Sequence, residues 1–460
     1  METTKKITEL VDDRVFYIIP TINPDGRDWF IHYPNTPNSS RSGKKPVDDD
    51  MDGLIDEDGY EDLDGDGNIC QIRIKDPNGR WKPSSEDPRV MVRCKPDEKG
   101  TYTLLGLEGI DNDGDGRINE DGPGGYDLNR NWPFNWQPEY IQRGAHEYPF
   151  SLPETRAVGE FVLKHENIAA FQSYHNFGGM ILQGPGQKDT PYAFQDAGIF
   201  EYIGKKGEEI IPGYRFVTVY KDMYTVWGGE LDWFYLGRGV LGFSNELFTS
   251  ENYFRKKTPP YQERRTRMFE PDKEPYDFND LLLFGDTFVD WKPFKHPQFG
   301  EVEIGGFKKN FTRMPPSFLL EEECHRNAAF TLFYADCTPQ VKIQNVEVKK
   351  IDGDLHNIWV TLENQRMIPT RTAQDVQNKI SRADQVKIYG KDIKVLSAGF
   401  VVDKYTGVVT PVEKHPEYIE ITSIPGMSTR IIQFTIKGKG NIKITIDSVK
   451  GGIDQAEIKI

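Results

Sequence analysis

The sequence has 460 residues, of which 37% are hydrophobic and 12% aromatic, and its formal net charge is −15. This length and composition predict two or three globular domains with substantial cores. The acidic balance argues against nucleic-acid binding, which needs basic stripes, and the sequence contains no run of about 18 apolar residues that could span a membrane.

The chain begins with a polar stretch that passes directly into an apolar one. Residues 15–22 (VFYIIPTI) are predicted to form a buried strand, followed by a turn at residues 23–26 (NPDG). A first core strand rarely lies so close to the first methionine, and no signal peptide precedes it. We therefore expect the true N-terminus to lie upstream of Met1.

Residues 27–126 are rich in Gly, Pro and Asp and show little periodicity, so we expect an irregular segment. Residues 48–66 alone contain eleven acidic residues and no Lys or Arg. Such a long irregular stretch should be organised by something other than a hydrophobic core. Bound cations would both organise it and neutralise its carboxylates.

Three segments of this stretch share a repeat: 48–59 (DDDMDGLIDEDG), 62–69 (DLDGDGNI) and 111–122 (DNDGDGRINEDG). Each has Asp at positions one, three and five, Gly at six and Ile at eight. Carboxylates on alternate residues converge on one centre when such a loop winds, which predicts calcium binding. The alternative is that Asp-Gly pairs simply form polar turns. The predicted calcium ligands are Asp48, Asp50, Asp52, Asp62, Asp64, Asp66, Asp111, Asp113 and Asp115.

Position twelve of these loops departs from the standard EF-hand, which has an acidic residue there. The three loops have Gly59, Arg73 and Gly122 instead. Other carboxylates must then complete the coordination, and weak affinity would suit an extracellular setting, where calcium is plentiful. The candidates for this role are Asp56, Asp58 and Asp121.

The middle of the chain alternates between predicted helices and strands. Residues 151–154 (SLPE) form a predicted capping box with proline in the first turn, which opens a helix at 154–166. The other predicted elements are strands at 168–174, 216–220 and 239–247 and helices at 192–210 and 317–334. This order predicts an α/β sheet with helices on its faces.

The pattern of polar and apolar residues changes at about residue 339. From there on, short segments of alternating polarity are separated by turn residues. They predict an antiparallel β-sandwich of about seven strands. No polar constellation in it suggests chemistry, so we interpret it as a packing or targeting module. The four cysteines are too few for a disulfide scaffold and lack metal-site spacing, although a bridge between Cys70 and Cys94 stays open for an exported protein.

Two polar residues end predicted strands of the α/β part. His175 follows one apolar strand and Glu246 ends another, and ligands of open α/β sheets bind at the carboxyl ends of strands. A single histidine at a strand end is more often structural than functional. The glutamate is more unusual, because burying a carboxylate in an apolar segment is costly without a task or a partner.

Several segments, taken together and in order, resemble the zinc carboxypeptidases of the carboxypeptidase A type over residues 13–335. The segments are IPTINPDG (19–26), DLNRNW (127–132), SLPETRAV (151–158), SYHNFGG (173–179), YTVWGGELDW (224–233) and GFSNEL (242–247). The resemblance implies a carboxypeptidase-like mixed sheet over residues 1–337, with an Asp-rich insertion at about 30–126 similar to that of a bacterial branch. Residues 338–460 would be an Ig-like accessory sandwich.

The resemblance also implies roles for individual residues. Zinc in such enzymes is held by two histidines and one glutamate. His175 matches the second histidine, and Glu246 matches the general base that accepts a proton from zinc-bound water. The other matched positions are Arg41, which would stabilise the oxyanion, Asn129 and Arg130, which would bind the substrate's C-terminal carboxylate, Tyr224, which would cap the substrate, and Leu231, which would line an apolar specificity pocket.

One part of the family pattern is missing. The first two zinc ligands come from a His-x-x-Glu motif, and none of the eight histidines is followed three residues later by Glu or Asp. We expect either a truncated, inactive form of a secreted or periplasmic peptidase acting on peptide C-termini, or a non-catalytic extracellular peptide-binding protein. Retention of the other site residues favours the peptidase, and cell-wall peptides are a further possible substrate.

Overall fold

The computed structural model describes residues 2–34, 46, 48, 50–122, 125–249 and 272–460. Arg41, the predicted oxyanion-stabilising residue, lies outside them. Within the described ranges, no helix has the combined length and apolar character needed to cross a membrane.

Helices occur mainly in the first three quarters of the chain. They are α1 (Glu2–Asp13), α2 (Pro24–His32), α3 (Pro153–Lys164), α4 (Phe194–Ile210), α5 (Glu230–Asp232), α6 (Glu274–Leu282), α7 (Lys309–Arg313), α8 (Ser317–Asp336) and α9 (Ala373–Asn378). A 3-10 turn at Leu128–Arg130 and π-helical turns at Val219–Met223 and Trp233–Gly237 complete the helical elements.

The described strands form four sheets. The strands before residue 338 are β1 (Gln71–Lys75), β2 (Trp81–Pro83), β3 (Met91–Arg93), β4 (Tyr102–Leu107), β5 (Ala170–Asn176), β6 (Met180–Gln183), β7 (Arg215–Thr218), β8 (Leu241–Leu247), β9 (Phe288–His296) and β10 (Gly300–Phe307). The strands after residue 338 are β11 (Val341–Asp352), β12 (Leu355–Asn364), β13 (Asp384–Gly390), β14 (Ile393–Asp403), β15 (Val408–Pro411), β16 (Tyr418–Ile421), β17 (Ser428–Gly438), β18 (Asn441–Ser448) and β19 (Gly452–Lys459).

The sheet that carries the predicted site has the strand order β5-β8-β6-β7. β5 runs parallel to β8, and β6 runs parallel to β7 but antiparallel to β8. Helices α4 and α8 cover it through Phe200 and Phe330, which pack with Phe243 of β8 in one buried cluster. A second cluster joins Trp132 and Phe234 to α3. The predicted mixed sheet flanked by helices is therefore confirmed.

The start of α3 differs from the predicted capping box. Leu152 is the N-cap residue and Pro153 occupies the first turn, so Ser151 lies outside the helix. No described side chain caps the first turn, and Asn131 Oδ1 instead accepts hydrogen bonds from the Leu152 N–H and the Thr155 hydroxyl. A residue distant in sequence thus satisfies the helix start, which a local pattern cannot reveal.

The prediction of a buried strand at residues 15–22 is wrong. The segment has no regular secondary structure and belongs to no sheet, and its backbone makes no hydrogen bond to the backbone of any described residue. Val15, Tyr17, Ile18 and Ile19 are between 41% and 80% exposed. An apolar run forms a strand only where a neighbouring strand is present to pair with it. No described strand pairs with this segment.

The predicted irregular insertion in fact contains regular structure. Strands β1 to β4 join β9 and β10 in an antiparallel sheet of order β3-β2-β4-β1-β10-β9. A small core of Cys70, Ile72, Val302 and Ile304 holds it together. The expectation that only bound cations organise this stretch was therefore wrong. Cys70 and Cys94 are both buried free thiols, and burial, with Glu108 nearby, raises the pKa of Cys70 to about 12.

Residues 341–459 form an antiparallel sandwich, with one sheet of order β11-β12-β17-β14-β15 and another of order β16-β13-β18-β19. The predicted segments correspond to these strands, although the structure has nine strands here and not about seven. Inward-facing aliphatic side chains such as Ile358, Ile432 and Ile444 are fully buried between the sheets. Alternation of buried and exposed positions along β12 and β18 produces this core.

The sandwich is joined to the α/β part through the short helix α9. Asp196 of α4 accepts hydrogen bonds from the backbone N–H groups of Ala373 and Gln374, so it caps this helix from outside. At Gly239, φ is +59°, and a Cβ there would lie 2.6 Å from the Cβ of Asp375. The junction therefore requires glycine at this position.

Candidate functional site

His175 and Glu246 lie side by side at the carboxyl ends of β5 and β8. The two residues are direct partners in the parallel register of these strands, so their side chains leave the same face of the sheet. Both line a cavity of about 1650 Å³, which the segment 14–20 also lines. The structure thus brings these two residues together on one cavity.

A buried carboxylate fixes the imidazole of His175. The Nε2–H group of His175 donates a hydrogen bond of 2.9 Å to Oε1 of Glu230. The same oxygen also accepts a hydrogen bond from the Ser173 hydroxyl. Burial lowers the pKa of His175, but the charge of Glu230, with smaller contributions from Glu246 and Asp127, outweighs it and raises the pKa to about 9. Because Nε2 is occupied, Nδ1 is the ring nitrogen that can bind a metal.

Glu230 is the site residue that the sequence interpretation missed. It lies in the quoted segment YTVWGGELDW, directly before Leu231, and its side chain is only 9% exposed. The backbone N–H of Glu230 donates a 2.9 Å hydrogen bond to Oδ1 of Asn129, which ties α5 to the 3-10 turn. A carboxylate within an otherwise apolar and glycine-rich segment was the available signal, and the same reasoning had identified Glu246.

Asn129 and Arg130 occupy the 3-10 turn at the side of the cavity. Asp127 caps this turn, because its Oδ1 accepts a hydrogen bond from the Asn129 N–H at 2.8 Å. The Arg130 side chain is 8% exposed, with Nη1 2.7 Å from the Asn129 carbonyl and 3.7 Å from Asp127 Oδ2. The guanidinium group is thus held in position and lines the same cavity as His175.

Tyr224 and Leu231 line another part of the cavity wall. Tyr224 follows a π-helical turn and is 39% exposed. Leu231 packs in a small apolar cluster with Leu182 and Val226. The next residue, Asp232, is buried and accepts hydrogen bonds from the Gly186 N–H and the Tyr192 hydroxyl, which fixes this wall.

The three Asp-rich loops wind in the same way. In each, the carboxylate at position one accepts hydrogen bonds from the backbone N–H groups at positions four and six: Asp48 from 51 and 53, Asp62 from 65 and 67, and Asp111 from 114 and 116. Asp48, Asp50 and Asp52 have carboxylate oxygens within 4.8 Å of one another, which is close enough to share a cation. The repeat seen in the sequence is therefore a structural repeat.

The site has a histidine and a glutamate paired at the carboxyl ends of strands in a mixed α/β sheet. This is the edge at which α/β proteins of the open-sheet class bind their ligands. The family model for zinc carboxypeptidase, peptidase family M14, matches residues 1–268, which is more than half of the chain. This chain belongs to the zinc carboxypeptidase family. Residues 340–459 match a family model described as a domain of unknown function (DUF8731).

The similarity to individual proteins is partial. Carboxypeptidase A1 of Sus scrofa is 26% identical over 140 residues, covering 28% of this chain and 33% of that protein. The chain thus spans a third of the length of this curated relative. Carboxypeptidase A from Helicoverpa armigera is 23% identical, with 32% of this chain and 39% of the other covered and a TM-score of 0.25. Bovine thrombin-activatable fibrinolysis inhibitor, in complex with tick carboxypeptidase inhibitor, is 26% identical, with coverages of 31% and 52% and a TM-score of 0.25.

Proposed function

We propose that these 460 residues are the larger part of a zinc-dependent metallocarboxypeptidase that releases C-terminal residues from peptides. The pairing of His175 with Glu246 at one register carries the proposal. The buried Arg130 on the same cavity adds a group suited to a substrate carboxylate. A planar guanidinium can bind a carboxylate through two hydrogen bonds, which would orient the terminal residue.

The donor chemistry of the site fits zinc. His175 offers Nδ1 while Glu230 fixes the ring through Nε2, an arrangement common among zinc-binding histidines. Zinc would polarise the scissile carbonyl and lower the pKa of a bound water. Glu246 would accept the proton from that water and pass it to the leaving amine. Asn129 and Arg130 would hold the terminal carboxylate, and Tyr224 would close over it.

Two positions of this proposal concern specificity and charge. Leu231 would give the pocket a preference for apolar or aromatic C-terminal side chains, because it contributes an apolar wall. Arg41 would stabilise the oxyanion, following the family pattern. Residues 338–460 would act as an accessory domain, and the predicted calcium loops, with the family resemblance, support an extracellular or periplasmic location.

The remaining zinc ligands would come from a polypeptide segment outside these 460 residues. β5 is an edge strand that pairs only with β8 among the described strands, and the segment 14–20 lines the same cavity. Both present backbone groups that a further strand could pair with. We propose that such a strand enters here and carries the His-x-x-Glu ligands next to His175.

The test uses the full-length protein that includes the region encoded upstream of Met1. We expect one equivalent of zinc by metal analysis and release of C-terminal phenylalanine from model peptides. An absence of both zinc and release would overturn the proposal. Zinc-free protein that binds such peptides through Arg130 without turnover would instead support the non-catalytic binding protein.

Glu230 is expected to act on the metal through His175. Replacing Glu230 by alanine removes the hydrogen bond to Nε2 and should weaken zinc binding by about 10- to 100-fold, as is usual for partners of metal-binding histidines. The matched variant Glu230→Gln keeps an acceptor for Nε2–H and should lose less. Zinc affinity of the full-length protein, measured by competition with a chromophoric chelator, checks both. Equal affinities in all three proteins would contradict this role.

We also propose that the three Asp loops bind calcium. Their identical backbone winding and oxygen-only side chains suit a hard cation with many ligands. Binding to the folded state alone would stabilise that state, and the gain in free energy would rise with the logarithm of calcium concentration above Kd. A chelator is accordingly expected to lower the melting temperature of the 460-residue chain by several degrees, whereas an unchanged melting curve would count against these sites.

A further inference from the structure

Two of the three Asp loops, 48–59 and 111–122, meet in the structure. Asp58 and Asp121, which occupy position eleven of their loops, form an isolated antiparallel bridge in which the Asp58 N–H donates to the Asp121 carbonyl at 3.2 Å. The Asp56 N–H donates to Oδ2 of Asp121, also at 3.2 Å. The loops are therefore paired by contacts between equivalent positions of the repeat.

This pairing brings the carboxylates of one loop to those of the other. Oxygens of Asp58 lie within 4.8 Å of those of Asp111 and Asp113, at positions one and three of the opposite loop. In the same way, Asp121 groups with Asp50, at position three of the first loop, and with Glu57. Each position-eleven carboxylate therefore approaches at least one Asp of the opposite loop, and Asp50 also groups with Asp113 and Asp115.

An independent observation marks these groups as ligands. The Asp58 side chain is fully buried, and its Oδ2 has no hydrogen-bond partner within the described part of the chain. Asn112 Nδ2 lies 3.3 Å from the other oxygen, Oδ1. A buried carboxylate oxygen without a partner is costly, and a cation would compensate for it. Both carboxylate oxygens of Glu57 and of Glu120 are likewise buried without a hydrogen-bond partner in the described ranges.

We propose that the loops 48–59 and 111–122 form one composite centre for two calcium ions, in which the position-eleven carboxylate of each loop ligates the ion held by the Asp residues of the other. The proposal rests on the proposed calcium binding of these loops and adds which residues share an ion. Carboxylate oxygens from two flexible loops suit calcium, which accepts six to eight oxygen ligands in variable geometry. The loop 62–69 would bind separately.

A double-mutant cycle tests the crossed arrangement on the 460-residue chain, with calcium chloride titrated into chelator-treated protein by calorimetry. Asp58→Asn and Asp111→Asn should each weaken binding by at least about tenfold, as expected for a lost charged ligand. Because both residues serve one ion, combining them should add little. Asp58→Asn combined with Asp48→Asn should be additive, since these residues serve different ions.

The opposite pattern, with Asp58 coupled to Asp48 and independent of Asp111, would overturn the crossed arrangement in favour of self-contained loops. Absence of calcium binding to the unmutated chain would overturn both, but would leave the peptidase proposal to be judged by zinc content and peptide release. Asp286→Asn, at a highly exposed side chain, is the matched control. If Asp58→Asn fails to give a native circular dichroism spectrum, Asp121→Asn replaces it and should couple to Asp50→Asn of the opposite loop.

Discussion

Under the proposed peptidase function, replacing Glu246 by glutamine in the protein that carries the proposed further strand is expected to lower kcat for release of a C-terminal residue by about 100- to 10,000-fold. The amide keeps the size of the side chain but cannot accept a proton from the attacking water. KM should change little, because Arg130 and Asn129, which would hold the substrate, are untouched. Initial rates over a range of peptide concentrations measure both quantities.

Two measurements make this result specific. Zinc content should be unchanged in the variant, which separates a lost general base from a lost metal. Glu301→Gln is the matched control, because Glu301 is exposed on β10 in a different sheet, and it should leave kcat unaltered. A Glu246→Gln enzyme that retained more than a tenth of the original kcat would remove Glu246 from the proposed mechanism.

Replacing Lys450 by methionine is expected to lower the free energy of unfolding by about 3–5 kcal/mol. The Lys450 side chain is 5% exposed and its Nζ lies 3.0 Å from Oδ2 of Asp375, which is fully buried. Nζ also donates hydrogen bonds of 3.1 Å to the carbonyls of Arg238 and Gly239. Methionine fills a similar volume but leaves the Asp375 charge only partly compensated by Arg371.

Chemical denaturation of the 460-residue chain measures this effect. Burial alone would raise the pKa of Asp375, but Lys450 and Ser381 outweigh it and keep that pKa below its ordinary value, which shows how strongly the carboxylate depends on its partners. Lys439→Met is the matched control, since Lys439 pairs with Asp354 at 2.9 Å on an exposed surface and should cost about 1 kcal/mol or less. Similar losses in the two variants would contradict a special role for the buried pair.

The sequence predicted those parts of the fold that local patterns determine. Strand ends at His175 and Glu246 could be located because apolar runs stop there, and the parallel register of β5 and β8 then aligned the two residues. The repeat of the Asp loops was visible as letters and proved to be a repeat of hydrogen bonds. The sandwich followed from its period-two alternation, although its strand count did not.

The sequence could not predict features that depend on distant partners. The sheet of β1 to β4 is completed by β9 and β10, which are about 200 residues further along the chain, so its short strands seemed irregular. The apolar segment 15–22 was assigned to the core because its hydrophobicity favours burial. Hydrophobicity alone does not show whether the fold buries the segment. Glu230 was missed because its function depends on proximity to His175, 55 positions away in sequence.

The junction between the two halves has a consequence for how such chains diversify. The Asp196 side chain accepts hydrogen bonds from backbone N–H groups of α9. Lys450 Nζ donates hydrogen bonds to the backbone carbonyls of residues 238 and 239. Main-chain groups are the same whatever side chains surround them. Substitutions can therefore accumulate over most of this junction, while a few charged residues and one glycine preserve the way the two halves recognise each other.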